Sequence, residues 1–223
     1  MRLVQANLGR NVSEAEFLRN FDALLERGGR RAVYALQEID EADAPEEMDL
    51  IQQRVRLTHH VIGDHTAVPI LVPHHLALFS VHLEPACKGL AKFTPNRVVT
   101  EAVIQLGKHF APAVLNTHLP RLPVGVTDEI REQLEERRRD VRQALRTRAK
   151  EHHAGVWLAD TNTHRGWPTI VRGEKTVTDA GIDKAKAWAP ERRRVIVTDR
   201  WTLNLTIDGH NAHGARVVWP KAA

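Results

Sequence analysis

Polar residues of a few types stand at the ends of otherwise apolar segments along this chain: Asn7, Glu38, Asn116 with His118, Asp160 with Asn162, Asp183, and Asp208 with His210. A segment that stays apolar until it ends in a carboxylate or an amide projects that group from the edge of a sheet, where loops and ligands meet. One such ending carries little information. Several of them, drawn from Asp, Glu, Asn and His with almost no Lys or Cys, make a donor set for a hard divalent cation and a phosphate. His59, His60, His65, His74 and His75 are numerous enough to suggest zinc, but their spacings match no structural zinc pattern and cysteine partners are absent, so they read as strand histidines.

Short strands and two helices are expected to position these groups. Arg2 to Leu8 alternates and reads as a strand carrying Asn7. Ser13, three residues before Glu16, makes a capping box for a helix that runs through about Arg27 and closes at Gly28 and Gly29. The run RAVYALQEID is apolar enough for a buried strand and ends on carboxylates. From Arg54 to Leu83, segments rich in Val, Ile, Leu and His are broken by Gly63, Pro69 and Pro73, which predicts a meander of strands. Val98 to Leu106 fits a helix or a strand, and periodicity does not decide between them. Ala113 to Leu119 and Ala154 to Ala159 are strands, and the remainder alternates short strands with loops. Between those two strands Ile130, Leu134, Val141 and Leu145 recur at helical spacing, so the charges around them cover the solvated face of an amphipathic helix.

That helix also accounts for the charge of the chain. From Arg131 to Lys150 there are eight Lys or Arg and four Asp or Glu, an excess of four that equals the whole net charge of +4, so the rest is balanced. The charge therefore speaks only weakly for an anionic partner. Arg192 to Arg194, after Pro190 in a loop, is the better candidate for touching phosphates. Trp167 and Trp188 read as core residues, with stacking on bases as the alternative.

In order along the chain, QANLG around Asn7, LQEID around Glu38, LNTHL around His118, LADTNTH around Asp160 and Asn162, AGIDKAKAW around Asp183 and DGHNAH near the end resemble the endonuclease/exonuclease/phosphatase superfamily, the deoxyribonuclease I-like proteins. The resemblance spans nearly the whole chain. It implies an α/β (α+β) fold, a four-layer α/β/β/α sandwich of two mostly antiparallel sheets flanked by helices. It implies Glu38 as a ligand of Mg²⁺ or Mn²⁺, with Asn7 fixing that ligand or a phosphate oxygen, and Asp160 orienting or deprotonating the attacking water. Asn162 would hydrogen-bond a nonbridging phosphate oxygen. Asp183 would pair with His210, and His118 would stabilise charge or protonate the leaving oxygen. Arg97 is expected to face phosphate or to make a structural salt bridge, and Asn116 is a further candidate for phosphate contact. The family normally ends in Ser-Asp-His, whereas here Asp208-Gly209-His210 puts a glycine at the expected aspartate, so that either Asp208 substitutes as metal ligand from one residue away or the site works with Glu38 as its single strong carboxylate. His210 is preferred to His213 as the catalytic histidine.

The composition, 42% hydrophobic and 27% charged, is that of a folded protein. No repeat or Gly/Ser-rich linker divides it, so residues 1–223 are expected to form a single domain. No stretch is long and apolar enough to span a bilayer, and MRLVQANLGR lacks the apolar core of a signal peptide, so the expectation is a cytoplasmic monomer with no membrane partner. The lone Cys87 reads as a small buried hydrophobe. The expected activity is hydrolysis of phosphodiester bonds in a nucleic acid, DNA favoured. The alternatives are a small-molecule or lipid phosphoester as substrate, or a nucleic-acid-binding module with a degenerate site, motivated by Gly209.

Overall fold

The computed structural model describes residues 1–9, 12–39, 46–162, 169–180, 183–190, 194–206 and 210–219. β1 (Arg2–Asn7) leads through α1 (Glu14–Gly28) to β2 (Ala32–Gln37), and the same crossover recurs as β7 (Ala113–His118), α3 (Asp128–Lys150) and β8 (Gly155–Asp160). In each unit the two strands pair in parallel, as a connection through a helix allows. Between the units lie α2 (Glu47–Val55), β3 (His59–Ile62), β4 (Ile70–Pro73), β5 (Ala77–Cys87) and β6 (Arg97–Gln105). After them come β9 (Lys175–Ala180), β10 (Asp183–Trp188), β11 (Ile196–Asn204) and β12 (Asn211–Val218).

Two six-stranded sheets result, ordered β11-β12-β1-β2-β4-β3 and β5-β6-β7-β8-β10-β9. Each holds its parallel pair at the centre with antiparallel strands on both sides, so both follow one plan. Three apolar layers hold the stack together. Between the sheets, Leu3, Val33, Ala35 and Ile70 meet Val114, Val156, Leu158 and Ala185. On the outer face of the first sheet, Phe17, Phe21 and Leu24 of α1 and Ile51 and Val55 of α2 cover Val4, Ala6, Tyr34 and Leu36. On the outer face of the second, Val141, Leu145 and Ala149 of α3 cover Val103, Leu115 and Trp157. The order is α/β/β/α. The central strands are apolar on both faces because both faces are buried, which is why they read as continuous runs rather than alternations.

Local chemistry ends the elements much where the residue types suggest. Ser13 caps α1 by accepting from the Glu16 N–H at 3.3 Å, and Gly29 closes it in the left-handed region at φ 79°. The ambiguous segment is strand β6, with Val99 and Val103 facing α3 and Ala102 and Ile104 facing the other sheet. The charged helix begins earlier than its basic run, at Asp128, with the Thr127 side chain accepting from the Ile130 N–H. Helix α2 was not anticipated. Its cap residue, Glu46, makes no side-chain capping bond, so no start signal precedes the Met48, Ile51, Val55 spacing. Among the described residues no helix is long and apolar enough to cross a membrane.

Candidate active site

The ladder of the second sheet brings three candidate residues into one row. His118, the last residue of β7, is the register partner of Asp160, the last of β8, and Asp160 is the partner of Asp183, the first of β10. The carboxyl ends of the central strands of the first sheet, at Asn7 and Gln37, meet this row across the sandwich. The join is a hydrogen bond from Asn7 Nδ2 to Asp160 Oδ2 at 2.8 Å. Glu38, one residue beyond β2, and Asn162, two beyond β8, both take left-handed backbone conformations, at φ 60° and 49°. Such a conformation costs on the order of 1–3 kcal/mol for a residue other than glycine and concentrates at functional sites.

Asp160 is fully buried and held from two sides, by Asn7 and by the Asn162 backbone N–H, which donates to Oδ1 at 2.8 Å. His118 is 1% exposed, with Arg97 Nη1 at 2.9 Å from its Nδ1. Arg97 Nη1 at Nδ1 and Asn162 Nδ2, 2.9 Å from Nε2, are both obligate donors, so the two contacts compete for the single acceptor nitrogen of a neutral ring. Nε2 also lies 3.5 Å from Glu38 Oε1 and from Asp160 Oδ2. Asn162 Nδ2 also donates to the Leu119 carbonyl at 2.7 Å. The His118 ring and the Asn162 amide thus lie beside two carboxylates, Glu38 and Asp160. Asp183 faces the His210 ring, with Oδ2 at 3.7 Å from Nδ1, an ion-pair distance. Burial, and after it the charge of Asp160, pushes the Asp183 carboxyl up to about 6 despite His210. For His210, burial works against the charged form, but Asp183 and then Asp160 and Glu38 outweigh it and raise its pKa.

Other expected residues sit elsewhere. Arg97 is 4% exposed, with Nη1 on His118 and Nε donating to Thr94 Oγ1 at 3.2 Å. Asn116 is not a phosphate contact either. It is fully buried, donates to the Leu36 and Pro69 carbonyls and accepts from Gln37 Nε2, so its whole amide stitches the two sheets together. Asn7 turns its Oδ1 to the Gly9 N–H and its amide to Asp160, which makes it an orienter of that carboxylate. His213 is buried on β12 against Thr202, outside both acidic clusters. Trp188 is a core residue, 2% exposed. Asp208, Gly209, Trp167, Arg192 and Arg193 lie outside the described residues.

One charged residue of α3, expected on its solvated face, belongs instead to the site's framework. Arg138 of α3 is 4% exposed and reaches under both strand ends, donating from Nη1 to the Pro120 carbonyl at 3.0 Å and from Nη2 to the Thr161 carbonyl at 3.1 Å. The signal was present: Arg138 falls between Leu134 and Val141 on the apolar stripe, where a charge needs a buried partner.

Among the described residues two groups of side chains could hold a cation, Glu38 with His118 and Asp160, and Asp160 with Asp183 and His210, each with ligand atoms within 4.8 Å of one another. Carboxylates this close repel unless a cation or a proton lies among them. Oxygen donors with a partly open Glu38, 15% exposed, fit Mg²⁺ or Mn²⁺ better than a softer metal.

No family model and no curated protein matches the sequence. Solved structures do match in three dimensions. D. rerio TDP2 complexed with a single-strand DNA product superposes with a TM-score of 0.71 at 10% identity, covering 98% of each chain. An endonuclease/exonuclease/phosphatase from Beutenbergia cavernae gives 0.64 at 12% identity over all of this chain and 72% of that one. Sphingomyelinase C from Streptomyces griseocarneus gives 0.62 at 14% identity over 96% and 98%. The two matched sheets and their covering helices identify the fold of this chain as that of the deoxyribonuclease I-like endonuclease/exonuclease/phosphatase superfamily.

Proposed function

We propose that this chain is a divalent-cation-dependent phosphodiesterase that hydrolyses a nucleic acid, DNA favoured, by direct attack of water on phosphorus, and that residues 1–223 form its single domain. The observation that carries the reading is the convergence of the His118 ring and the Asn162 amide with the Glu38 and Asp160 carboxylates. Carboxylates beside an amide and an imidazole suit a phosphate whose anionic oxygen is bound while water is activated.

Glu38 and Asp160 would hold Mg²⁺ or Mn²⁺, which supplies charge neutralisation and Lewis acidity at the phosphate. Asp160, fixed by Asn7 and the Asn162 N–H, keeps lone pairs with which to orient the water and take its proton. Asn162 donates to a nonbridging oxygen, and His118, its ring held by Arg97, stabilises charge at the phosphate or serves the leaving oxygen. Asp183 holds His210 in its charged form beside the phosphate. No covalent intermediate is needed, since no serine or cysteine enters the cluster.

Supercoiled plasmid incubated with Mg²⁺ or Mn²⁺ tests the reading. Nicking that EDTA abolishes and Asp160→Asn removes supports it; an intact plasmid and intact RNA under both metals overturns it. The likeness to a sphingomyelinase favours, as the second reading, the same hydrolytic site acting on a smaller phosphoester. Turnover of phosphocholine esters with nucleic acids untouched would select that reading.

A further inference from the structure

We propose that the end of the sandwich away from these residues carries a second site, one that binds a small multiply charged oxyanion of the pyrophosphate class. A cavity of about 310 Å³ there is lined by Arg2, Arg27, Arg200, Arg216, Asp199 and Trp201 among others. Arg2, Arg27 and Arg216 thus stand around it with Asp199 as the one carboxylate in the lining. Among the described residues none of these three arginines makes a salt bridge, whereas Arg54, Arg138, Arg142 and Arg148 elsewhere do.

The arrangement is built into the strands. Arg2 of β1 and Arg216 of β12 are direct register partners, a placement that sets their Cβ atoms about 5 Å apart and makes like charges repel. Beside them β11 carries a bulge between Thr198 and Trp201, where Asp199 takes a left-handed conformation at φ 52°. The extra residue shifts Trp201 onto Gly214, where a Cβ would lie 2.2 Å from the indole, so only glycine lets the ring rest on β12. Arg27, from the end of α1, lies over that ring at 5.4 Å. Arg200 is anchored through Nε and Nη2 to the Val177 and Thr176 carbonyls of β9. A face that served only solubility would gain stability from an acid opposite Arg2. Concentrated positive charge with a single acid points instead to an anion that supplies the missing charge and accepts several guanidinium bonds at once. The site is separate from the catalytic proposal and stands without it, because β1 spans about 17 Å from Arg2 to Asn7.

The test is calorimetric titration of the intact protein with pyrophosphate, and with inorganic phosphate, at constant ionic strength in EDTA. Expected is one pyrophosphate site whose affinity falls at least tenfold in Arg2→Gln/Arg216→Gln, with phosphate weaker. Arg216→Gln alone should raise Tm without the anion, by removing the like-charge contact, and should abolish the rise in Tm that pyrophosphate causes in the parent. Equal pyrophosphate affinity in parent and double variant overturns the proposal, as does no measurable binding to the parent. Arginine-dependent binding of a single-stranded oligonucleotide without any of pyrophosphate also overturns it, in favour of a nucleic-acid contact.

Discussion

The β1-α1-β2 crossover brings Asn7 and Glu38 to the site from one sheet, and the β7-α3-β8 crossover brings His118, Asp160 and Asn162 from the other. In the second unit His118 and Asp160 are buried and held in place: Asp160 by Asn7 and by the Asn162 N–H, His118 by Arg97, and both strand ends by Arg138 from beneath. In the first unit Glu38 is partly open and approaches the cluster with its Oε1 3.5 Å from His118 Nε2. Two copies of one plan therefore divide the labour. One sheet holds a rigid, dry row of groups that need fixed geometry, and the other offers a carboxylate with room for an ion and its waters. A preorganised row stabilises charge without reorganising during reaction, whereas a metal ligand must tolerate exchange of water around the ion.

The comparison breaks most visibly at Asp160, which belongs to the rigid row and faces both cation groups. Asp160→Asn should lower metal-dependent cleavage by about 10²–10⁴-fold, the range for loss of a positioned acid–base group, while far-ultraviolet circular dichroism stays that of the parent. Arg138→Met should come next. Its loss leaves the Pro120 and Thr161 carbonyls without their donor, a cost of about 1–3 kcal/mol. The slack in the strand ends should lower kcat by up to about 10²-fold, as misplacement by an ångström does. If Arg138→Met melts earlier but cleaves at the parental rate, the rigidity of the second unit is irrelevant to chemistry. Glu38→Gln, in the open unit, should chiefly raise the Mg²⁺ concentration needed for half-maximal rate and leave Tm within a few degrees, as a metal titration of activity and a melting curve would reveal.

The smallest effect distinguishes the two sheets by pH. His59 on β3 and His213 on β12 belong to the first sheet, and burial lowers the pKa of both from 6.5. A histidine kept neutral in the fold binds fewer protons than it does unfolded, so its contribution to stability is lost as pH falls below about 6.5. Glu101 of β6, in the second sheet, behaves otherwise. Burial alone would raise its carboxyl, but contacts with His152 and Arg148 outweigh that and hold it below 4.5. Its contribution persists above that value and fails only at lower pH. Hydrogen exchange at pH 5.5 against pH 7.5 should therefore show faster exchange in β3 and β12 than in β6 and β7, and His59→Gln/His213→Gln should flatten the fall in Tm over that interval. A uniform change across both sheets would mean that they respond as one.

Residue types and their order were enough to specify most strands, both long helices and the acidic and imidazole groups at the strand ends, because alternation, caps and apolar stripes are local properties read within a few residues. Ser13 and Gly29 announce α1, and an apolar run ending at Glu38 announces β2. What a side chain does at the end of a strand depends on which strands become neighbours, and that is a non-local matter. Asn116 and Asn162 are the same residue type beside the same kind of strand. Sheet packing spends the first on the Leu36 and Pro69 carbonyls, and a left-handed turn presents the second to His118. Arg97 became the partner of His118, and Arg138 a clamp under Pro120 and Thr161, only because β6 and α3 were laid against β7 and β8. The sequence by itself determined which chemical groups this protein has and which of them stand at strand ends. The tertiary structure decided which are buried and which meet, because burial strips water from a charge and obliges it to find the partner that packing has placed within reach.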